Sequence, residues 1–431
     1  SKPEAVETVH RSFLAVGCNV LETDTFRSNR ITLKEYGLQD RVIEINRTAA
    51  QLAKRLAQEY DTPDRPRFVA GSIGPSGLLP SSTDPVLSNI TFGELVEVFR
   101  EQAAGLLDGG ADVLLIETAQ DILEVKAAIF GIQAAFAETG RRVPLQCQVT
   151  LDTSGRMLLG TDIAAALTTL QALPIDIIGL NCSTGPDFMR EPIRYLTENA
   201  RLPVSCIPNA GLPINTGIGE AVYPLEPGPM GETLGDFVHR LGVRVVGGCC
   251  GTTPAHLTHV VEAVSSAPPD AVSFRFAPVE RDGWTHLERP DAPDLAMVSS
   301  AIRATSLTQD PPPMLIGERV NAQGSRKVKR LLLEDRYEDI VTVAREQVEG
   351  GAHTLDVQVA LTERADEAAQ MHRLVHLLST AIEAPLVIDT TETDVVKAAL
   401  EASPGRAIVN SINLERGRER IDAYLPLIKA H

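Results

Sequence analysis

The sequence predicts an α/β protein made of two consecutive (β/α)8-type barrels, the first lacking its opening strand and the second present only as its first half. Three observations carry this expectation. Short β-branched runs alternate with longer amphipathic stretches along nearly the whole chain. The runs are apolar throughout rather than alternating, as strands covered by helices on both faces must be. The rhythm breaks once, at a proline-rich, charged stretch that separates seven units from four.

The chain opens on "SKPEAVETVHRSFLAVG". Acidic residues interrupt it and it has no apolar core, so it is not a signal peptide. It reads as a helix already under way, which places a first strand upstream of Ser1. Strands are then expected at "NVLET" (19–23), "RFVAGSIG" (67–74), "DVLLIET" (112–118), "VPLQCQVT" (143–150), "DIIGLNC" (176–182), "PVSCIPNA" (203–210) and "VRVVGGCC" (243–250). The unit between the second and third is the clearest. Thr91 stands at a cap position with Glu94 three residues on, apolar residues follow at helical spacing, and Gly109-Gly110 stops the helix before a buried strand. An open doubly wound sheet is the alternative. The absence of G-x-G-x-x-G after the first strand weakens its dinucleotide-binding form.

Residues 268–313 read as a Pro-rich linker with some ordered structure. The rhythm resumes at "MLIGERV" (314–320), "HTLDVQV" (353–359), "PLVIDT" (385–390) and "RAIVNSI" (406–412). Four units make half a barrel, whose edges would be unpaired, so the natural chain is expected to continue past His431. The expected division is 1–267, 268–313 and 314–431.

A formal charge of −17 argues against a nucleic-acid binder. With no apolar run of about 18 residues, no membrane span is expected. Six cysteines in 431 residues are too few for a disulfide scaffold. The expected setting is a reducing compartment, the cytoplasm, where clustered thiols serve as metal ligands or catalytic groups.

In a barrel, working residues gather where strands end. That rule collects Glu117, Cys182, Asn209 and the adjacent pair Cys249 and Cys250. Three thiolates with an open fourth position describe a catalytic zinc site. Neighbouring residues of a regular strand point to opposite faces, so both members of the pair can meet one ion only where the strand gives way to a turn. Gly247, Gly248 and Gly251 supply candidates for that turn. A strained vicinal disulfide or a thiol redox pair is the other reading. Cys18, Cys147 and Cys206 read as small buried hydrophobes.

Several motifs at these positions resemble the homocysteine-binding barrel of cobalamin-dependent methionine synthases: "VLETDTF" (20–26), "SIGPSG" (72–77), "LIETAQD" (115–121), "LNCSTGP" (180–186), "PNAGLP" (208–213) and "VGGCCGTTPAH" (246–256). "IGERVNAQGSRKVKRLL" (316–332), "LDVQ" (355–358), "IDTTETDVV" (388–396) and "IVNSI" (408–412) resemble that family's folate-binding barrel. The resemblance spans nearly the whole chain in family order. It implies that Cys182, Cys249 and Cys250 hold zinc, with the fourth position for the homocysteine sulfur. Glu117 is implied as the partner of the substrate ammonium. Backbone amides around Thr23, Asp24 and Thr25 and at Ser72 and Gly74 are candidates for its carboxylate. Asn209 either offers an amide oxygen to the site or pins the "PNAG" turn. Asn321, Asp356, Asp389 and Asn410 correspond to pterin-binding positions. Arg319 is a candidate for the glutamyl tail of methyltetrahydrofolate, while the run Arg326, Lys327, Lys329 and Arg330 reads first as a solvated helix face. The implied reaction passes a methyl group from methyltetrahydrofolate through cobalamin, bound by a module absent from this chain, to zinc-activated homocysteine. The competing readings are a cobalamin-independent enzyme using betaine or a sulfonium donor, and a noncatalytic protein with structural zinc.

Overall fold

The computed structural model describes residues 2–217, 221–281, 283–414 and 417–431. Every apolar run of the first region forms a strand: β1 (Val20–Glu22), β2 (Phe68–Ile73), β3 (Val113–Ala119), β4 (Leu145–Val149), β5 (Ile177–Asn181), β6 (Val204–Ile207) and β7 (Val245–Val246). They lie side by side in chain order and all run parallel. A helix fills each crossover, as parallel pairing requires. The order never reverses, so there is no switch point of the kind that defines a doubly wound sheet.

Local chemistry explains the element ends. The Thr91 hydroxyl accepts from the Glu94 amide at 3.2 Å and Glu94 accepts from the Thr91 amide at 2.8 Å, closing the anticipated capping box of the Phe92–Asp108 helix. Strand β6 stops at Ile207 because Pro208 has no N–H for the ladder. Strand β7 is only two residues long, far shorter than the run "VRVVGGCC", because the glycines and cysteines leave the ladder.

The second region repeats the scheme. Strands β8 (Ile316–Asn321), β9 (Thr354–Gln358), β10 (Leu386–Asp389) and β11 (Ile408–Asn410) form a four-stranded parallel sheet in chain order. Each sheet has its own apolar core. One is built around Leu114, Cys147, Ile178 and Phe99, the other around Val320, Leu355, Ile388 and Leu374.

The linker contains two antiparallel hairpins, Ala277–Arg281 with Trp284–Glu288 and Met297–Ser299 with Ala304–Ser306. The first clasps the strand-start end of the first sheet. Its buried His286 lies 2.8 Å from the Asp176 carboxylate, which also pairs with buried Arg142 at 2.7 Å and accepts from the Leu145 amide at 2.7 Å. The second hairpin bridges the regions. Ser299 meets the Thr169 hydroxyl at 2.8 Å on one side and the Arg406 amide at 2.9 Å on the other.

The regions also touch directly: the His431 ring lies 4.5 Å from that of Phe130 and 5.6 Å from that of Phe92. Lys126, fully buried on the Ile122–Thr139 helix, donates to the carbonyls of Ser403 at 2.9 Å and Leu400 at 3.4 Å. These carbonyls close the Thr393–Leu400 helix, whose C-terminal dipole attracts a cation. Burial nevertheless pulls the Lys126 ammonium down to about 7.

Two outcomes follow from these buried charges. Asp176→Ala leaves Arg142 buried without its carboxylate, and equilibrium denaturation is expected to show a loss of about 3–5 kcal/mol. Lys126 has a depressed folded-state pKa, so its contribution is complete above the unfolded value and is lost as pH falls through about 7. Melting temperatures between pH 7 and 9.5 should therefore fall toward neutrality more steeply for the wild type than for Lys126→Met. Parallel curves would refute the assignment.

Candidate metal and substrate site

The three thiols on the strand-end rim converge. Cys182 and Ser183 follow β5 with left-handed backbone, φ 60 and 62. The Cys182 amide donates to the Ile207 carbonyl at 3.1 Å, tying this turn to β6. Beyond β7, the Cys249 amide donates to Pro208 O at 2.8 Å and the Cys250 amide to Asn209 Oδ1 at 3.0 Å. The Ala210 amide returns a bond to Cys250 O at 2.9 Å. These bonds turn two adjacent residues out of strand geometry, so both thiols reach one point. Cys250 Sγ lies 3.8 Å from Cys182 Sγ and 3.9 Å from Cys249 Sγ, and all three fall within 4.8 Å of one another.

Two of the three glycines are demanded by this geometry. A Cβ on Gly248 would stand 2.3 Å from the Thr252 side chain. Gly251 has φ +76, and a Cβ there would stand 2.3 Å from Tyr223. Gly247 has only ordinary contacts, nearest 3.7 Å, so the expectation that all three glycines shape the turn is too broad.

The cluster holds one negative charge easily and resists more. Hydrogen bonds from Cys182 and Cys249 pull Cys250 well below the usual thiol range, and a hydrogen bond with Tyr223 adds to this. Hydrogen bonds to Cys182 and Cys250 push Cys249 far upward. A hydrogen bond with Cys249 lowers Cys182, but one with Cys250 and burial outweigh it. A divalent cation would let all three ionise. Zinc fits: at a Zn–S distance near 2.3 Å, a tetrahedral ion holds its sulfurs about 3.8 Å apart, which matches the separations across Cys250. Soft thiolates favour zinc over magnesium or calcium. Cys147 and Cys206 are fully buried in the apolar core and are not part of the cluster, in keeping with a packing role.

Glu117, near the end of β3, is buried beside this site. It accepts from the Ser72 hydroxyl and from Asn181 Nδ2 at 3.3 Å. Burial pushes it upward, the Ser72 bond opposes this, and the Cys250 charge raises it further. Glu22, on β1, is pushed up to about 8 by crowding from protein atoms and by Glu117, although the residue is exposed at the sheet edge.

Thr23, Thr25 and Ser72 interlock. The two threonine hydroxyls are 2.6 Å apart, Thr25 donates to Ser72 O at 2.7 Å, and the Ser72 amide donates to Thr23 Oγ at 3.0 Å. The Gly74 amide donates to Phe26 O at 2.6 Å. The amides of Ser72 and Gly74, with that of Thr23 bound to Ala70 O, are thus already engaged. Asp24 is exposed. Asn209 is buried, and its Oδ1 pins the cysteine turn.

In the second region Asn321, Asp356, Asp389 and Asn410 form one chain of contacts. Asn321 Nδ2 donates to Asp356 at 2.7 Å and to Asp389 at 3.0 Å, while Asn410 Nδ2 donates to Asp389 at 3.1 Å. Burial raises both aspartates; Glu318 adds to each, and Asp389 adds to Asp356. Arg319 is exposed and outside this chain of contacts, its amide bound to Gln347. Lys327, Lys329 and Arg330 make ion pairs on an exposed helix face, as the solvated reading expects.

Sequence reasoning missed four residues. Tyr223 reaches Cys250 from a loop after β6, where no periodic signal marks it. Asn181 and Glu22 sit one residue from motif positions that were singled out. The Gln358 amide oxygen, on the same rim as Asn321, is buried without a partner. The strand-end rule could have found Asn181 and Gln358.

If the three thiols form one metal site, Cys182→Ala or Cys249→Ala should lower bound zinc from about one equivalent per chain toward none. Cys147→Ala should leave it unchanged. Elemental analysis after dialysis reads both outcomes.

Comparison with known proteins agrees with this layout. Residues 1–264 match the family described as Homocysteine S-methyltransferase, and residues 317–431 match that described as Pterin binding enzyme. The chain is 39% identical over 434 aligned positions to a methionine synthase of Mycobacterium tuberculosis, covering 100% of this chain and 34% of the relative. It is also 39% identical over 417 positions to a methionine synthase of Mycobacterium leprae, covering 97% of this chain and 33% of that protein. The chain therefore spans about a third of the length of these curated relatives. The oxidized form of the homocysteine methyltransferase MmuM from Escherichia coli shares its fold, with a TM-score of 0.50 at 21% identity over 61% of this chain and 85% of that one. The chain belongs to the homocysteine S-methyltransferase family, and a segment of the pterin-binding family follows it.

Proposed function

We propose that this chain carries the homocysteine-methylating and folate-binding parts of a cobalamin-dependent methionine synthase. Residues 1–267 are read as a (β/α)8 barrel, 268–313 as the linker, and 314–431 as the first half of a second barrel. A further strand between β7 and β1 would close the first. The observation that carries the reading is the approach of three thiols from β5 and β7 to within 4.8 Å.

Cys182, Cys249 and Cys250 would hold zinc, which when bound supplies a Lewis acid that keeps the homocysteine sulfur deprotonated near neutral pH. Three ligands leave one position for that sulfur, whereas structural sites are usually closed by four. Glu117 is placed to face the substrate ammonium: it is buried and forms no ion pair among the described residues. With the Thr23, Ser72 and Gly74 amides engaged, the Asp24 and Thr25 amides are left as claimants for the substrate carboxylate. Asn209 acts by fixing the cysteine turn.

On the second rim, Asp356 and Asp389 offer acceptors to the N–H edge of a pterin, while Asn321 and Asn410 orient them. Arg319, exposed nearby in sequence, is left for the glutamyl tail. Methyltetrahydrofolate is the methyl source and cobalamin, bound elsewhere in the longer protein, relays the group. The pterin-binding segment favours this over a betaine or sulfonium donor. Free thiols suit a reducing compartment such as the cytoplasm. No described helix is long and apolar enough to cross a membrane.

X-ray absorption at the zinc edge, recorded with and without homocysteine, tests the reading. The expected result is replacement of a light-atom neighbour by one more sulfur. An unchanged shell would favour structural zinc.

A further inference from the structure

The segment after β2 is held by two acids from a single helix start. Asp121 caps the Ile122–Thr139 helix by accepting from the Leu123 amide at 2.8 Å. It also accepts from the Ser81 amide and hydroxyl, each at 2.7 Å. One turn on, Glu124 accepts from the Ser76 amide at 2.8 Å and from the Ser76 hydroxyl at 2.5 Å. Both acids are buried, at 1% and 3% exposure. Glu124 lines the same small cavity as Gly74, Pro75 and Glu117. Neither acid belongs to the thiol cluster or to the contacts assigned above.

We propose that Glu124 is a positioning residue for the homocysteine pocket: by accepting two hydrogen bonds from Ser76 it sets Ser72 and Gly74 against Glu117. This rests on the homocysteine reading of the site. The path is short and continuous. Ser76 lies two residues beyond Gly74, Gly74 is fixed to Phe26 O, and the Ser72 hydroxyl donates to Glu117. The segment has little room to adjust elsewhere, since a Cβ on Gly74 would stand 2.5 Å from Phe26 O. Releasing Ser76 frees the Ser76 end of this stretch, the end that Glu124 holds.

A carboxylate suits the task because one of its oxygens can take both donors, and charged acceptors bond more strongly than neutral ones. The charged groups around Glu124 are Asp121 on its own helix, Arg27 from the stretch after β1, and Glu117 across the cavity. Burial, opposed by the Ser76 bonds, pushes Glu124 up to about 7, with Asp121 raising it and Arg27 lowering it. A raised folded-state pKa means that the stabilising contribution is complete below the unfolded value and is lost as pH rises through about 7. A purely structural Glu124 would therefore be improved at alkaline pH by Glu124→Gln, which removes the buried charge and keeps an oxygen for Ser76. A positioning role concerns the pocket instead, and the two can be read separately.

The test is homocysteine titration of the zinc-loaded chain by calorimetry, with zinc content measured alongside. Glu124→Ala is expected to weaken homocysteine binding about tenfold at unchanged zinc content. Glu124→Gln should restore most of it and flatten any pH dependence of the dissociation constant near 7. Amide exchange should quicken at Ser76 in Glu124→Ala and stay slow in Glu124→Gln. Unchanged affinity in Glu124→Ala, or equal losses in both variants, would overturn the proposal. So would loss of zinc together with homocysteine in Glu124→Ala, which would mark general collapse. If the wild-type chain itself fails to bind homocysteine, the functional reading falls, and that result is distinct from a variant that behaves like the wild type.

Discussion

The site depends on one constraint: two adjacent cysteines must abandon strand geometry in a place where a third thiol already waits. Backbone hydrogen bonds enforce this. The Cys249 amide is held by Pro208, the Cys250 amide by the Asn209 side chain, and the Cys250 carbonyl by Ala210. All three partners lie just past the end of β6, the strand between the two that carry the thiols. Strand order therefore sets the distance. Because β5, β6 and β7 are consecutive neighbours, a turn anchored on the middle strand reaches across to Cys182 on the first. The brevity of β7 has the same cause. Further ladder pairing would send Cys249 and Cys250 to opposite faces.

Much of this was legible in the sequence because the decisive signals are local. Apolar runs between amphipathic stretches located every strand of both sheets, and the Thr91–Glu94 spacing located a helix start that forms as anticipated. The strand-end rule brought together cysteines 67 positions apart without knowledge of any contact. What escaped is long-range. Lys126 reads as an ordinary helical lysine, and only the placement of the second region makes it a buried donor to Ser403 and Leu400. Tyr223 sits in irregular chain, where no periodicity points to a partner. The linker could be recognised as ordered, but its clasp on Asp176 through His286 joins residues more than a hundred positions apart. The role given to Gly247 shows the opposite error. Composition suggests that every glycine of a cluster is needed, while the space around each shows that only Gly248 and Gly251 are.

The Ile122–Thr139 helix links these levels. A helix outside a parallel sheet normally offers one face to solvent, yet this one buries Glu124 and Lys126 alike. Its first turn holds the segment beside Glu117, and its outward side grips the C-terminal end of a helix in the second region. Burying ionisable groups on both sides costs stability, since each is displaced toward its neutral form. The apolar neighbours Ile129, Ile132 and Phe136 offset that cost through packing. The charged positions then serve to fix orientation, which apolar contact alone does loosely.

Charge explains what the two rims can accept. The first gathers Glu22, Glu117 and a thiol cluster in which hydrogen bonds favour the Cys250 thiolate; the second gathers Glu318, Asp356 and Asp389. Among the described residues none of these five acids is paired with a lysine or arginine; Glu117, Asp356 and Asp389 accept from hydroxyl and amide groups instead. Glu117, Asp356 and Asp389 are raised because the folded chain supplies burial and like charge without a compensating cation. A ligand that binds here must bring positive charge or N–H donors of its own. In the function proposed here, a divalent ion at the thiols and an ammonium group at Glu117 would meet that demand together on the first rim. On the second a heterocycle with several ring and exocyclic N–H groups would meet it without net charge. Such acidic rims select ligands by what they donate, and a ligand's carboxylate would be left to backbone amides.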